Sequence, residues 1–270
     1  MKPEQSITAG FSGSYDPADV TFLLKPVSLQ PTPIRQKEAL IQSGRRHYSE
    51  MVPPEPVPDE PYLALYRNAL VRNGPRLAAD ICALAVSIAE RARGREIVLA
   101  SLARAGTPIG VLLVRALRSL GLAAQHYSIS IIRDRGVDRV ALAWISARHD
   151  PADVVFVDGW TGKGAIAREL RRSLGDGRAG FRPCLAVAAD PAGLADFAAT
   201  MDDYLIPSGI LGSIVSGLVS RTILNSALVG EGDFHACVHH RHLHQIDLSR
   251  AFVHEVSALF DVAASQPIER

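Results

Sequence analysis

Cysteine is scarce: only Cys82, Cys184 and Cys237 occur in 270 residues, an odd and widely scattered set. A disulfide framework is therefore not expected, and a reducing, cytoplasmic setting is. Aromatic residues make up 6% of the chain, too few for the stacking platform that holds single-stranded nucleic acid. An excess of one charge is also missing, since 29 Lys and Arg face 28 Asp and Glu for a net charge of +1. This argues against a nucleic-acid platform held by bulk electrostatics. No long apolar run is present either. The richest, residues 205–219, is shorter than the ~20 residues a membrane span needs and is cut by Pro207 and by glycines 209, 212 and 217. The opening Met-Lys-Pro-Glu-Gln lacks the apolar core of a secretory leader, so none is expected. What is left is a globular composition, 47% hydrophobic and 21% charged, long enough to bury one large α/β core with a smaller appendage.

The stretch around which the chain is organised is Asp153-Val-Val-Phe-Val-Asp-Gly-Trp-Thr-Gly-Lys-Gly164. Residues 154–157 are apolar without alternation, as a central parallel strand covered on both faces requires. Asp158 then stands at a carboxyl end, where open α/β sheets place their ligand crevice. Gly159, Gly162 and Gly164 allow bare backbone to approach a ligand, and the amides of residues 161–165, at a helix start, suit a phosphate. Asp158 suits sugar hydroxyls or a divalent metal instead. Two nucleotide motifs are excluded by spacing. Lys163 is followed by Gly164 rather than Ser or Thr, with Val157 where a Walker loop needs glycine, and no complete G-x-G-x-x-G opens a helix.

A second strand, residues 97–100, runs into Ser-Leu-Ala-Arg-Ala-Gly-Thr-Pro, where Thr107 is expected to cap a helix ending at Gly121. Arg104, flanked by Ala103, Ala105 and Gly106, offers a guanidinium fork beside a backbone that can come close to an anion. Residues 125–132 form the next strand, and Arg133 and Arg135 sit on a glycine-centred loop able to cover a polyanion. Further strands are expected at 184–189 and 203–206, and helices at 76–93, 191–200, 211–228 and 250–263; residues 139–149 fit either a helix or an irregular strand. Strand and helix alternate, which gives an open, mainly parallel sheet of about five strands with helices on both faces. The core domain spans residues 76–270. Residues 1–75 form an extension in which Ser12, Ser14, Arg45 and His47 are candidates to reach the site, followed by five prolines between 53 and 61 that hold the chain extended.

Three strings, Phe11-Ser-Gly-Ser-Tyr-Asp-Pro-Ala-Asp-Val-Thr-Phe-Leu-Leu-Lys25, Ile41-Gln-Ser-Gly-Arg-Arg-His-Tyr-Ser-Glu-Met51 and Val155-Phe-Val-Asp-Gly-Trp-Thr-Gly-Lys-Gly164, together resemble the StiP-like proteins of tellurite-resistance gene clusters. Members carry two labels, phosphoribosyltransferase-like and cysteine protease. The first implies a type I phosphoribosyltransferase-like fold with N- and C-terminal additions. It implies that residues 161–164 hold the 5-phosphate of phosphoribosyl pyrophosphate, that Asp158 meets the ribose hydroxyls and that residues 103–106 contact the pyrophosphate. Arg133 and Arg135 would belong to a closing hood, Mg²⁺ would bridge pyrophosphate and ribose, and a base or other acceptor would take the ribosyl phosphate. One departure is visible: such transferases usually carry two adjacent acids, and here the second is Gly159. A homodimer is compatible with this reading, and a membrane is not expected as a partner.

The protease label needs a thiolate beside a histidine. Cys237 is the best candidate, within a segment holding five histidines between 235 and 244, yet neither the papain-like nor the caspase-like signature surrounds any cysteine. Those histidines also match no standard zinc spacing. A sensor that binds a phosphorylated ribose without turnover is the third alternative.

Overall fold

The computed structural model describes residues 10–175 and 180–261. Strands β1 (Thr21–Leu23) and β2 (Lys25–Pro26) lead to helices α1 (Ile34–Gln42) and α2 (Glu60–Ala92). Then come β3 (Ile97–Ala103), α3 (Thr107–Ser119), β4 (Ala124–Ile132), β5 (Gly136–Val137), α4 (Arg139–Ser146), β6 (Val154–Trp160), α5 (Ala165–Leu174), β7 (Leu185–Ala189) and β8 (Phe197–Thr200), with β9 (Ala236–Cys237) and α6 (Ser249–Ser257) last.

The main sheet runs β1-β4-β3-β6-β7-β8, every neighbouring pair parallel, with β5 antiparallel on β4. It is therefore the expected open, mainly parallel α/β sheet, wider than the five strands anticipated. Alternate residues of the central strands feed two cores. Leu99, Val155 and Val157 pack with α2, α3 and α6, whereas Val98, Phe156 and Val187 pack with α4 and α5. That two-sided burial is why β6 reads as an unbroken apolar run. It also sets the direction of Asp158, two residues beyond Phe156 and hence on the α5 side. Phe156 is fully buried, and truncating such a side chain to alanine costs about 3–5 kcal/mol.

Several elements differ from expectation. Helix α2 begins well before residue 76, at a cap in which the Asp59 carboxylate accepts the Tyr62 N–H at 2.9 Å. Pro75 lies inside it, so the junction drawn at residue 75 falls within a helix. The apolar stripe Tyr66, Leu70, Leu77, Ile81, Leu84 and Ile88 stays buried across that proline, and its burial outweighs the missing hydrogen bond. No helix forms at 191–200. The Asp190 carboxylate captures the N–H groups of Leu194 and Ala195 at 3.0 and 2.8 Å, turning the chain back to pair as β8. Residues 203–206 are irregular rather than a strand.

The helix expected at 211–228 is a loop with a short 3-10 turn at Ser213–Val215, preceded by another at Pro207–Gly209. Gly217 and Leu218 both adopt positive φ there, at 78° and 59°, which no α-helix accommodates. The ambiguous segment 139–149 resolves as α4, capped by Asp138, which accepts from the Val140 and Ala141 amides. Thr107 caps nothing: its hydroxyl meets Ser128 Oγ at 2.7 Å. The C-terminal helix is shorter than 250–263, and residues 262 and 263 lie outside the described residues. Among the described residues no helix is long and apolar enough to cross a membrane.

Candidate functional site

A crevice of about 780 Å³ opens at the carboxyl ends of β3, β4 and β6. Leu102, Ala103, Arg104 and Ala105 enter it from β3, Ile132 and Arg133 from β4, Asp158 from β6 and Ile166 from the first turn of α5. Lys37 and Ile41 of α1, Tyr48, the segment 208–212, Arg221 and Thr222 complete the wall from outside the sheet. Among the described residues four cations thus face one cavity, with Asp158 the single acid in its lining.

Among the described residues, Asp158 accepts only the Gly159 N–H, at 2.8 Å. Burial pushes its carboxyl up to about 7 against that one favourable bond, since no cation compensates the lost hydration. Arg104 is already engaged. Its Nη1 donates to both oxygens of Glu55 at 2.9 Å and to the Val219 carbonyl at 3.3 Å. Burial alone would raise the Glu55 carboxyl, but Arg104 and the Ser213 N–H, at 2.6 Å from Oε1, outweigh it and hold it below the usual range. Lys37 is shifted down, first by burial and then by the nearby charge of Arg221. Two like charges held together on a cavity wall favour an anionic ligand.

The other expected site residues fall outside that lining. Gly106 starts α3, and a Cβ there would lie 2.4 Å from the Val157 carbonyl, so packing requires the glycine. The Ala103–Arg104 peptide is cis. Gly159 is buried behind Asp158, while Thr161 gives its hydroxyl to Asp190 at 2.7 Å and its N–H to Ala189 at 3.2 Å. Gly162, at φ 54°, lies against the Trp160 ring, Lys163 is exposed, and Gly164, at φ 77°, is pressed by Leu194. Among the described residues, the amides of residues 165–167, opening α5, donate to no backbone carbonyl beside Ile166. Arg135 lies in the β4–β5 turn and points no wall into the crevice. That turn is clasped from both sides: Tyr48 Oη accepts the Arg133 N–H at 2.7 Å, and Glu169 accepts the Asp134 N–H at 3.0 Å.

Ser14 lies against the 217 loop, its N–H reaching the Gly217 carbonyl at 3.1 Å, and the Ser12 carbonyl accepts the Tyr15 N–H at 3.1 Å. Arg45 is exposed, and His47 caps the turn Tyr48–Glu50. The cluster around residues 44–48 therefore contributes Tyr48 rather than Arg45 or His47. Lys37, Arg221, Thr222 and Glu55 were not anticipated. For Lys37, Arg221 and Thr222 no local signal exists, because a helix and a loop far apart in sequence bring them to the crevice.

All three thiols are shifted away from ionisation. Cys237 is fully buried on β9, and burial pushes it up to about 12. Burial likewise raises Cys184 to about 11, and Cys82 is raised by burial and by Asp261. His235, the nearest upstream histidine in sequence, is held by Ser130 Oγ at 2.8 Å. Among the described residues no group of three or more His, Cys, Asp or Glu is placed to hold a metal.

A family model described as "Tellurite-like stress resistance cysteine protease StiP" matches residues 13–257. A protein of Acinetobacter baylyi named "Cysteine protease StiP" is 46% identical over 266 residues, covering 95% of this chain and 69% of that protein. Among solved structures, the hypoxanthine phosphoribosyltransferase of Trypanosoma cruzi in complex with the product IMP overlaps 49% of this chain and 79% of its own, at 15% identity and a TM-score of 0.38. A variant of that enzyme with the same product overlaps 63% of this chain and 82% of its own, at 14% identity and a TM-score of 0.37.

Proposed function

The chain belongs to the StiP family, and from that premise we propose that it is an enzyme whose crevice binds phosphoribosyl pyrophosphate and transfers the ribosyl phosphate to an acceptor with release of pyrophosphate. The observation that carries this reading is the convergence of Lys37, Arg104, Arg133 and Arg221 with Asp158 at the carboxyl ends of adjacent parallel strands. The peptidase chemistry in the relatives' name is disfavoured for this chain. It needs a thiolate that a base can generate, and each thiol here is pushed away from ionisation by burial.

In the proposed reaction the bond between ribose C1 and the pyrophosphate oxygen breaks, its electron pair leaves with the oxygen, and the acceptor's lone pair forms the new bond at C1. Arg104 and the backbone of residues 103–105 lie where growing negative charge on the leaving group would be stabilised, in a cavity that reduces screening. Asp158 would face the ribose. Its proton is lost readily once positive charge approaches, leaving a carboxylate opposite the electron-poor ring. The first-turn amides of α5 would serve the 5-phosphate, with the loop 161–164 setting their direction. For Mg²⁺ the crevice offers one carboxyl, Asp158, with a single hydrogen-bond partner among the described residues, and Mg²⁺ commonly takes one or two carboxylates and fills its shell with phosphates and water. Asp158 would hold it, and the ion would supply charge neutralisation at the pyrophosphate. Incubating the purified protein with phosphoribosyl pyrophosphate and a panel of bases and other acceptors, and following pyrophosphate release, tests the proposal.

A further inference from the structure

Residues 53–58 cross beside the crevice between two anchors, the buried pair Met51 and Val52 on one side and the Asp59 cap of α2 on the other. Among the described residues their backbone makes no hydrogen bond to the rest of the molecule. Pro53, Pro54, Pro56 and Pro58 have no N–H to give, and Val57 stays 65% exposed. The inward contact that stands out is the Glu55 carboxylate, whose side chain is 8% exposed.

The surroundings of that carboxylate are built for an anion. Both oxygens take Arg104 Nη1 at 2.9 Å, and Oε1 also takes the Ser213 N–H at 2.6 Å. Gly212 leaves room for the bound carboxylate, since a Cβ there would stand 2.1 Å from Oε1 while Glu55 is seated. A carboxylate nevertheless leaves the seat incompletely used. His240 Nε2 lies 3.8 Å from Oε2, beyond hydrogen-bonding reach. It and Ser213 Oγ are buried with no partner among the described residues, although such groups are ordinarily satisfied. A phosphate carries more acceptor oxygens, spread over a tetrahedron, and is the kind of group that would reach both.

We propose that Glu55 fills the seat of a ligand's diphosphate group, so that the strap carboxylate and the incoming anion exclude one another at Arg104, Ser213 and His240. This rests on the reading that the crevice takes a phosphoribosyl diphosphate. It adds an occupant that must leave before the ligand enters, and two buried groups that wait for the ligand rather than for Glu55. The strap is suited to that exchange, since among the described residues its own backbone makes no hydrogen bond to the rest of the molecule, and releasing Glu55 gives up only the side chain's bonds to Arg104 and the Ser213 N–H.

The test is calorimetric titration of inorganic pyrophosphate into the full chain and into Glu55→Gln, with Glu55→Ala as the second variant should the amide distort the strap. Removing the competing charge is expected to tighten pyrophosphate binding at least about tenfold, with His240→Ala in the same background reversing part of the gain. Unchanged or weaker binding in both Glu55 variants, or no binding by any of the three proteins, overturns the proposal. The two ideas fail separately. Tighter pyrophosphate binding without turnover of phosphoribosyl pyrophosphate would leave the seat standing and remove the transferase reading; turnover with Glu55 variants unchanged in pyrophosphate affinity would do the reverse.

Discussion

Asp158 and Glu55 serve the same crevice from different platforms, one on a central strand and the other on a proline strap, and their carboxyl groups meet opposite surroundings. Asp158 has burial and a single amide, and is pushed up to about 7. Glu55 has a guanidinium and an amide, and is held low despite its burial. The difference teaches that burial raises a carboxyl that no cation answers, whereas a guanidinium and an amide together reverse the effect of burial. Asp158 is left ready for a positive charge, whereas Glu55 has already found one.

The sharpest way to break the comparison is Arg104→Ala. It strands the Glu55 carboxylate without its cation, and losing one member of a buried pair costs about 3–5 kcal/mol. A denaturant melt should show that loss, largely relieved in the Glu55→Ala, Arg104→Ala double variant. Asp158→Asn comes next, and its effect depends on pH. A carboxyl whose folded pKa is raised favours the folded state at low pH, and that contribution is lost as pH rises from the ordinary carboxylate range through about 7. The ligand-free variant should therefore match the parent near pH 4 and exceed it at pH 8 by about 1–2 kcal/mol, reduced from the full linkage value because the group faces a water-accessible cavity. Equal stabilities at pH 8 would mean that the carboxylate is not desolvated.

Cys237→Ala should cost about 1 kcal/mol by leaving a small cavity, with pyrophosphate release unchanged; loss of an activity in a folded variant would return the thiol to the centre. The smallest effect is expected for His47→Ala and Arg45→Ala. Both lie off the crevice lining, so ligand affinity should change less than about twofold, within the range of ordinary surface substitutions.

Much of the frame was legible because the central strands are buried on both faces, which leaves an unbroken apolar signature in β3 and β6. Asp158 and Arg104 could then be placed at carboxyl ends from strand order alone. The segment 211–228 misled for a related reason. It is as apolar as a helix, but Gly212 and Gly217 bend it into a loop that returns over the strand ends. The start of α2 was hidden by Pro75, whose cost is outweighed by a stripe that forms only against the sheet. Lys37, Arg221 and Glu55 carry no local pattern, since each acquires its place through contacts that long-range folding creates. Glycines 106 and 162, which the sequence offers for ligand approach, also make room for the Val157 carbonyl and the Trp160 ring.

The central claim is that the cation-lined crevice, rather than any thiol, is the working site. Titrating phosphoribosyl pyrophosphate with Mg²⁺ into the parent protein, Asp158→Asn and Cys237→Ala tests it most directly. The account predicts saturable binding by the parent and by Cys237→Ala, with affinity reduced about tenfold or more in Asp158→Asn. Absence of binding by the parent, or equal binding by Asp158→Asn, would contradict it.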